Sequence, residues 1–370
     1  GKDSTATVTA VVALIESKRV QSPESLTVLY ADTRMELPPL QMSAMRLMQT
    51  LRDRGIRAEV VLPEMDERFF VYMFGRGVPP PKNRFRWCTP QIKVEPMERA
   101  LTELRSQSGE KLLMLTGVRI GESAARDQRI ALSCGKDGAE CGQGWFQETM
   151  PESIADTLAP LLHWRVCHVW DWLMGEAPRY GFKTGDIAHI YGHNDEGSAD
   201  ENGARTGCVG CNLASRDVAL DRVLQIREWN YLAPLKRLKP LYAQLIKPEN
   251  RLRKCGEVKK DGSPSSNPYR MGPLTMEARR YGLAAVLHIQ ACINSCPGEH
   301  PPYTLINEQE HSRILELMEA NTWPDGWDGT EMTGDALLSI GDEDGGAVPI
   351  QITRQGGMQS VLTLAMEEAV

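Results

Sequence analysis

Gly1-Lys2-Asp3-Ser4-Thr5 sets a small turn, a lysine and two hydroxyls at the head of a helix-forming run, Ala6 to Lys18. Those residue types in that order suit phosphate. Backbone N–H groups at a helix start point at the anion, the positive end of the helix dipole favours it, and Lys2 adds a point charge. It is not a Walker A loop, which needs two glycines flanking four residues, followed by Lys and Ser or Thr. Asp3 suits a Mg²⁺ carried by the phosphates or, equally, a first-turn helix acid. Arg119, at the end of an apolar run, is placed to clamp anionic oxygen bidentately, and Arg126, about two helical turns later, could do the same.

The second chemistry is that of sulfur. The chain has nine Cys, an odd number. Clustered thiols in a chain of this kind read as metal ligands or redox groups rather than disulfides. Cys134 and Cys141 lie in one Gly-rich stretch, and Cys208 and Cys211 form a CxxC in another. Four thiolates from two loops suit either a [4Fe–4S] cluster or Zn²⁺, and the spacing does not separate the two. Cys88 stands alone ahead of a helical segment, with Arg84 and Arg86 beside it. That setting favours a thiolate that could carry a persulfide; a cluster ligand and a buried structural thiol are the alternatives. Cys167, among Trp164, Trp170 and Trp172, reads as core. Cys292 and Cys296, four apart on a helix end, read as packing, and Cys255 has no assigned role.

These residues need a scaffold. Leu26 to Tyr30 reads as a strand ending at Ala31-Asp32-Thr33. Pro39 to Arg54 reads as a helix, Arg57 to Leu62 as a strand, Glu95 to Arg105 as a helix and Lys111 to Gly117 as a strand. Alternating strands and helices predict a parallel sheet with crossover helices, and in open α/β sheets ligands bind at the carboxyl ends of the strands. Asp32-Thr33 and Thr116 to Arg119 fall at such ends. Gly75 to Arg86, Ser133 to Gly144 and Gly192 to Gly207 read as loops. Leu161 to Met174, Met276 to Ala291 and Glu308 to Ala320 read as helices. Arg222 to Lys260 is a basic stretch that either tracks a nucleic-acid backbone or is a solvated helix face. From Trp323 onward the chain is acidic and Gly-rich with weak periodicity.

At 370 residues the chain holds one large domain with additions, or two. A net charge of -7 means that any nucleic-acid surface is local rather than global. No apolar run is long enough to span a bilayer and no signal peptide is visible, so no membrane partner and a cytoplasmic location are expected.

Several segments carry a resemblance. Lys93-Val-Glu-Pro-Met-Glu-Arg-Ala-Leu101 resembles the KVEPM-x-RAL segment of phosphosulfate reductases. Thr116-Gly-Val-Arg119, with Glu122, Ser123 and Arg126, resembles their G-x-R-x-x-x-S-x-x-R motif. Asp32-Thr33 with Glu36 is similar to their DTG-x-E/D turn. Gly1 to Thr5 resembles the end of the SGGKDST loop of PP-loop ATP pyrophosphatases, without its first two residues, so the chain is expected to begin inside that motif. The resemblance implies an α/β fold of the adenine nucleotide alpha-hydrolase-like (HUP) type: a doubly wound parallel sheet, with a mostly helical C-terminal extension carrying an iron–sulfur site. The expected domains are a PP-loop domain at 1–180, a cluster-binding, basic, mostly helical region at 181–322, and an acidic tail at 323–370.

There are departures. Phosphosulfate reductases carry a catalytic Cys in a C-terminal E-C-G-x-H segment; here no Cys follows Cys296, and Cys296-Pro-Gly-Glu-His300 is a loose echo. Thioredoxin-coupled reduction is therefore not expected. Arg86-Trp-Cys88-Thr89 and Arg205-Thr-Gly-Cys208-Val-Gly-Cys211 instead resemble elements of the DNA phosphorothioation sulfurtransferases of the DndC/SspD type. That resemblance implies ATP, Mg²⁺ and a [4Fe–4S] cluster as cofactors. DNA, a cysteine desulfurase and other phosphorothioation subunits are the implied partners. It implies ATP and phosphate binding by Gly1, Lys2, Asp3, Ser4, Thr5, Asp32, Thr33, Arg119 and Arg126, and catalysis by Lys2, Asp3, Cys88 and Arg119. Cys134, Cys141, Cys208 and Cys211 would hold the cluster, with Cys88 as an alternative ligand. A phosphosulfate or adenylylsulfate reductase and a PP-loop tRNA thiolase are the competing activities.

Overall fold

The computed structural model describes residues 1–83, 85–121, 127–128, 154–191, 207–214, 216–254, 263 and 271–334. The chain divides into two compact units. The first comprises Gly1–Pro63, Trp87–Cys208 and Val218–Trp229; the second comprises Glu64–Arg86, Val209–Asp217 and Asn230–Val370.

The first unit is α/β. Helix α1 (Lys2–Glu16) buries a face of small residues, Thr5, Ala6, Thr9, Ala10, Val12 and Ala13. Threonines are poor interior helix formers unless their hydroxyls are satisfied. Here Thr7 Oγ1 donates to Asp3 O at 3.0 Å and Thr9 Oγ1 to Thr5 O at 2.8 Å. Thr9 Oγ1 also accepts Trp172 Nε1 at 2.9 Å, which ties α1 to the Trp-rich segment. Strand β1 (Thr27–Ala31) leads to helix α2 (Pro38–Asp53), started by prolines at its first turn, and to β2 (Arg57–Val61), which pairs with β1 in parallel. A wide helical turn, Pro90–Val94, runs into α3 (Glu95–Ser108), closed by Gly109 at φ 73° with its N–H on Arg105 O. Strand β3 (Leu112–Leu115) then pairs in parallel with β4 (Ala155–Leu158). The parallel pairing and the α/β class agree with the sequence reading.

Two ladders extend one step past their strands: Asp32 N–H reaches Val61 O at 3.0 Å and Thr116 N–H reaches Leu158 O at 2.9 Å. Asp32 and Thr116 are thereby fixed at carboxyl ends of β1 and β3. Val12, Met48, Leu51, Ala58, Ala177 and Phe182 form one core cluster; Ala6, Leu161, Val169, Trp170, Leu173, Ile187 and Ala188 form another.

The Trp-rich helix starts later than expected. A turn closed by Trp164 N–H on Leu161 O precedes it, and the helix runs Val166–Trp170 into a wide turn, Asp171–Glu176. Cys167 is exposed rather than core: Val169, Trp170 and Leu173 take the buried positions.

The second unit is mostly helical, with a three-stranded antiparallel sheet in the order β6 (Met271–Leu274), β5 (Arg251–Arg253), β7 (Met332–Thr333). Helix Met276–Asn294 is capped by Thr275, and helix Glu308–Glu319 by an Asn307/Glu310 capping box. Arg279 is fully buried and donates to the carbonyls of Phe74, Gly75 and Thr322; burial pushes its guanidinium down to about 10. The basic stretch is not one solvated face. Arg251 is buried on the carbonyl of Gly272, Arg253 donates to Gly334 O, and Lys254 donates to Gly326 O and lies over the Trp327 ring. Arg227, Lys236, Arg237 and Lys247 are exposed. Lys259 and Lys260 lie outside the described residues. Among the described residues no helix is long and apolar enough to cross a membrane.

Candidate nucleotide site of the first unit

The start of α1 has no side-chain cap, so its first-turn N–H groups are not consumed by one. Around it stand three charges. Lys2 Nζ meets Asp3 Oδ2 at 3.1 Å and lies 5.1 Å from the centre of the Tyr191 ring. Arg119 Nε meets Asp3 Oδ1 at 2.5 Å, and its Nη1 donates to Trp164 O at 3.1 Å. Arg119 is only 3% exposed. Asp3 is therefore the hub that fixes both cations: each of its oxygens is engaged by one of them. Lys2 N–H also donates to Tyr191 Oη at 3.3 Å.

Gly117 sets how closely the strand end approaches this turn. A Cβ there would lie 2.7 Å from Ser4 N, 2.8 Å from Asp3 C and 2.9 Å from Ser4 Cα. Only a residue without a side chain lets the end of β3 lie against the backbone of the helix start. The motif Thr116 to Arg119 thus has two separable jobs: Gly117 permits the approach, and Arg119 brings the charge.

The turn after β1 has its own internal bonding. Asp32 is buried; its Oδ1 accepts Arg34 N–H and its Oδ2 accepts Gln41 Nε2, both at 2.8 Å. Arg34 has φ 62°, a left-handed conformation at the position where the DTG turn carries glycine. Thr33 Oγ1 accepts Met35 N–H at 3.3 Å, and Glu36 Oε2 accepts Thr33 N–H at 3.2 Å. Burial, then the charge of Asp32, pushes the Glu36 carboxyl up to about 7, against the opposing pull of the Thr33 hydrogen bond and Lys93. The Tyr30 hydroxyl is held protonated by burial and by Glu36 and Asp32. Lys93 lies within electrostatic reach of Glu36. The hydroxyls of Tyr30 and Thr116 are buried with no partner among the described residues, which leaves polar atoms for a ligand at two strand ends.

Of the expected site residues, Gly1 to Thr5 form the start of α1, where Lys2 and Asp3 meet Arg119, and Asp32 and Thr33 lie in the turn after β1. Arg126, Cys134 and Cys141 lie outside the described residues. Cys88 is half-buried and opens the helical segment ahead of Pro90. Cys208 is half-buried and forms an antiparallel bridge with Glu36, which brings the first Cys of the CxxC beside the turn after β1. Cys211 is half-buried in the second unit. Among the described residues no group of three or more His, Cys, Asp or Glu is placed to hold a metal. Sequence reasoning gave Glu36, Lys93 and Gly117 no role of their own, and it missed Tyr191. The first three are motif members whose chemistry becomes visible only once distant segments meet; Tyr191 carried no local signal.

Residues 1–180 match the family model of the phosphoadenosine phosphosulfate reductase domain, which supports the PP-loop/PAPS reductase superfamily for this part of the chain. The family is enzymatic, with nucleotide and sulfur chemistry. No curated protein matches the chain, and no solved structure does.

Proposed function

We propose that the chain is an ATP-dependent sulfurtransferase that places sulfur in the DNA backbone. ATP docks its phosphates on the start of α1. A DNA phosphate oxygen attacks the α-phosphorus, pyrophosphate leaves, and the DNA phosphate is adenylated. Adenylation turns that oxygen into a leaving group: the terminal sulfur of a cysteine persulfide attacks the phosphorus and displaces AMP, and a second thiol then breaks the resulting P–S–S–Cys link by forming a disulfide with that cysteine, releasing the phosphorothioate. The accumulating negative charge is met by Lys2 and Arg119, with Arg126 as a further candidate. Their common partner, Asp3, holds both cations before ATP arrives. Mg²⁺ would enter with the ATP phosphates, with Asp3 as its candidate oxygen donor in the loop.

The observation that carries this reading is the bridge between Glu36 and Cys208, which sets a cysteine-bearing segment against the nucleotide-side turn. A [4Fe–4S] cluster would be held by Cys134, Cys141, Cys208 and Cys211, with Cys88 as the alternative ligand. When bound, such a group supplies a redox-active iron–sulfur centre. Cys88 is the proposed persulfide carrier, with a partner cysteine desulfurase as the source of its sulfur. DNA and the other phosphorothioation subunits complete the assembly, whose place is the cytoplasm. The exposed Arg227, Lys236 and Lys247 are the candidates for the DNA backbone.

The test is paired. Cys88→Ser should abolish sulfur incorporation into DNA while sparing DNA-stimulated pyrophosphate release. Loss of both together counts against the carrier role. A second reading, reduction of an adenylyl phosphosulfate, is favoured by the phosphosulfate reductase family model itself. Release of sulfite from adenosine phosphosulfate, with no pyrophosphate from ATP, selects it.

A further inference from the structure

In the second unit, the end of helix Met276–Asn294 carries a thiol pair that the nucleotide site does not use. Its two sulfurs are treated differently. Cys296 Sγ donates to two carbonyls, Cys292 O at 3.3 Å and Tyr231 O at 3.6 Å. Cys292 Sγ faces nitrogen instead: His288 Nε2 lies at 3.4 Å and Arg237 Nη1 donates to the sulfur at 3.7 Å. Cys292 is half-buried, while His288 and Arg237 are exposed, so the sulfur is reachable from solvent. A thiol with a ring nitrogen one helical turn away and a guanidinium aimed at it has the parts of a nucleophile: a proton acceptor and a holder of charge. A Cys2His2 metal site is not what these residues form. His300 Nε2 is 3.0 Å from Cys296 O, and its ring is stacked on Tyr231 with centroids 4.1 Å apart.

We propose that Cys292 is an acceptor of sulfane sulfur, taking the terminal sulfur of a partner protein's cysteine persulfide; this rests on the sulfur-transfer reading above. The Cys292 thiol gives its proton to His288 Nε2, and its sulfur attacks the terminal sulfur of the donor R–S–SH. A new S–S bond forms to Cys292 and the donor's S–S bond breaks. The electron pair leaves on the donor cysteine, which takes the proton back from His288. The sum is Cys292–SH plus R–S–SH giving Cys292–S–SH plus R–SH, with no outside oxidant or reductant. Arg237 faces the charge on the attacking sulfur. Cys296, committed to two carbonyls, is not the acceptor.

The full chain is exposed to sodium disulfide as the sulfane donor, trapped with iodoacetamide, and read by peptide mass spectrometry. Exposed Cys167 on the same chain is the internal reference. Cys292 should gain one sulfur about 10-fold faster than Cys167 or better, and His288→Ala should remove about that advantage. Arg237→Ala should slow uptake in the same direction. Equal rates at Cys292 and Cys167, an unchanged rate in His288→Ala, or a glutathione adduct from glutathione disulfide with no sulfane uptake would each overturn the assignment. In cells with the partner proteins, DNA sulfur at the full level in Cys292→Ser overturns this site and leaves the DNA reading standing. Sulfane uptake at Cys292 with no sulfur in DNA overturns the DNA reading and leaves the thiol site standing.

Discussion

Gly117→Ala is the sharpest perturbation of the nucleotide site. The added Cβ meets Ser4 N at 2.7 Å, Asp3 C at 2.8 Å and Ser4 Cα at 2.9 Å. Atoms of this kind pack at about 3.5 Å, so the end of β3 and the start of α1 must part by roughly 0.7 Å. All three opposing atoms are backbone, so no side-chain rotation can absorb the clash. Overpacking of this sort costs about 1–3 kcal/mol. A shift approaching 1 Å also misplaces Lys2 and Asp3 against Arg119, for which a loss on the order of 10- to 100-fold in turnover is expected. The assay is ATP-dependent pyrophosphate release beside urea unfolding. Gly109→Ala is the control: φ there is 73°, but a Cβ would meet nothing within 4 Å. It should cost about 1–2 kcal/mol of stability through backbone strain and leave pyrophosphate release per folded molecule unchanged. If Gly117→Ala matches wild type in both stability and turnover, the close approach has no functional meaning and the reasoning fails.

Three further outcomes are expected. Arg119→Ala, which leaves Asp3 and the Trp164 carbonyl without their buried partner, should cost about 3 kcal/mol in urea unfolding. Arg119→Lys should fall between, since one ammonium cannot reproduce the planar fork. Glu36 keeps its proton to about pH 7 when folded, against an ordinary value of 4.5. Its contribution is therefore fully present below about pH 4.5 and is lost as pH rises through 7, by roughly 3 kcal/mol in all. Glu36→Gln should flatten that part of the stability–pH curve, and an unchanged slope would remove Glu36 as its source. Asn307→Ala removes the acceptor of the Glu310 N–H bond at 2.8 Å and should lower the unfolding free energy of the second unit by about 1 kcal/mol, read by urea titration.

Much of the first unit is legible along the chain because its signals are local. The Pro38-Pro39 helix start, the apolar strand Thr27–Ala31 and the glycine closing α3 each declare themselves within a few residues. Strand β4 does not: Ala155-Asp156-Thr157-Leu158 has no β-rich run and becomes a strand through pairing with β3. The same is true of β7, two residues long, beyond the point where the chain reads as an acidic tail. Arg251 reads as part of a basic stretch, yet the carbonyl of Gly272 draws it into the interior. Cys167 reads as core from its Trp neighbours, but the buried face of the segment runs through Val169, Trp170 and Leu173 and leaves it exposed. In the site, types and order pointed to phosphate. The joint placement of Glu36 and Lys93, and of Asp3 and Arg119, depends on contacts between distant segments, which no local pattern encodes.

The central claim concerns what receives the sulfur. DNA from cells expressing this chain with its partners should be digested to dinucleotides and examined for sulfur by mass spectrometry. The account predicts phosphorothioate-linked dinucleotides that disappear with Lys2→Ala and with Cys208→Ser. DNA free of sulfur in the presence of every partner, with sulfite released from adenosine phosphosulfate by the same chain, would contradict it.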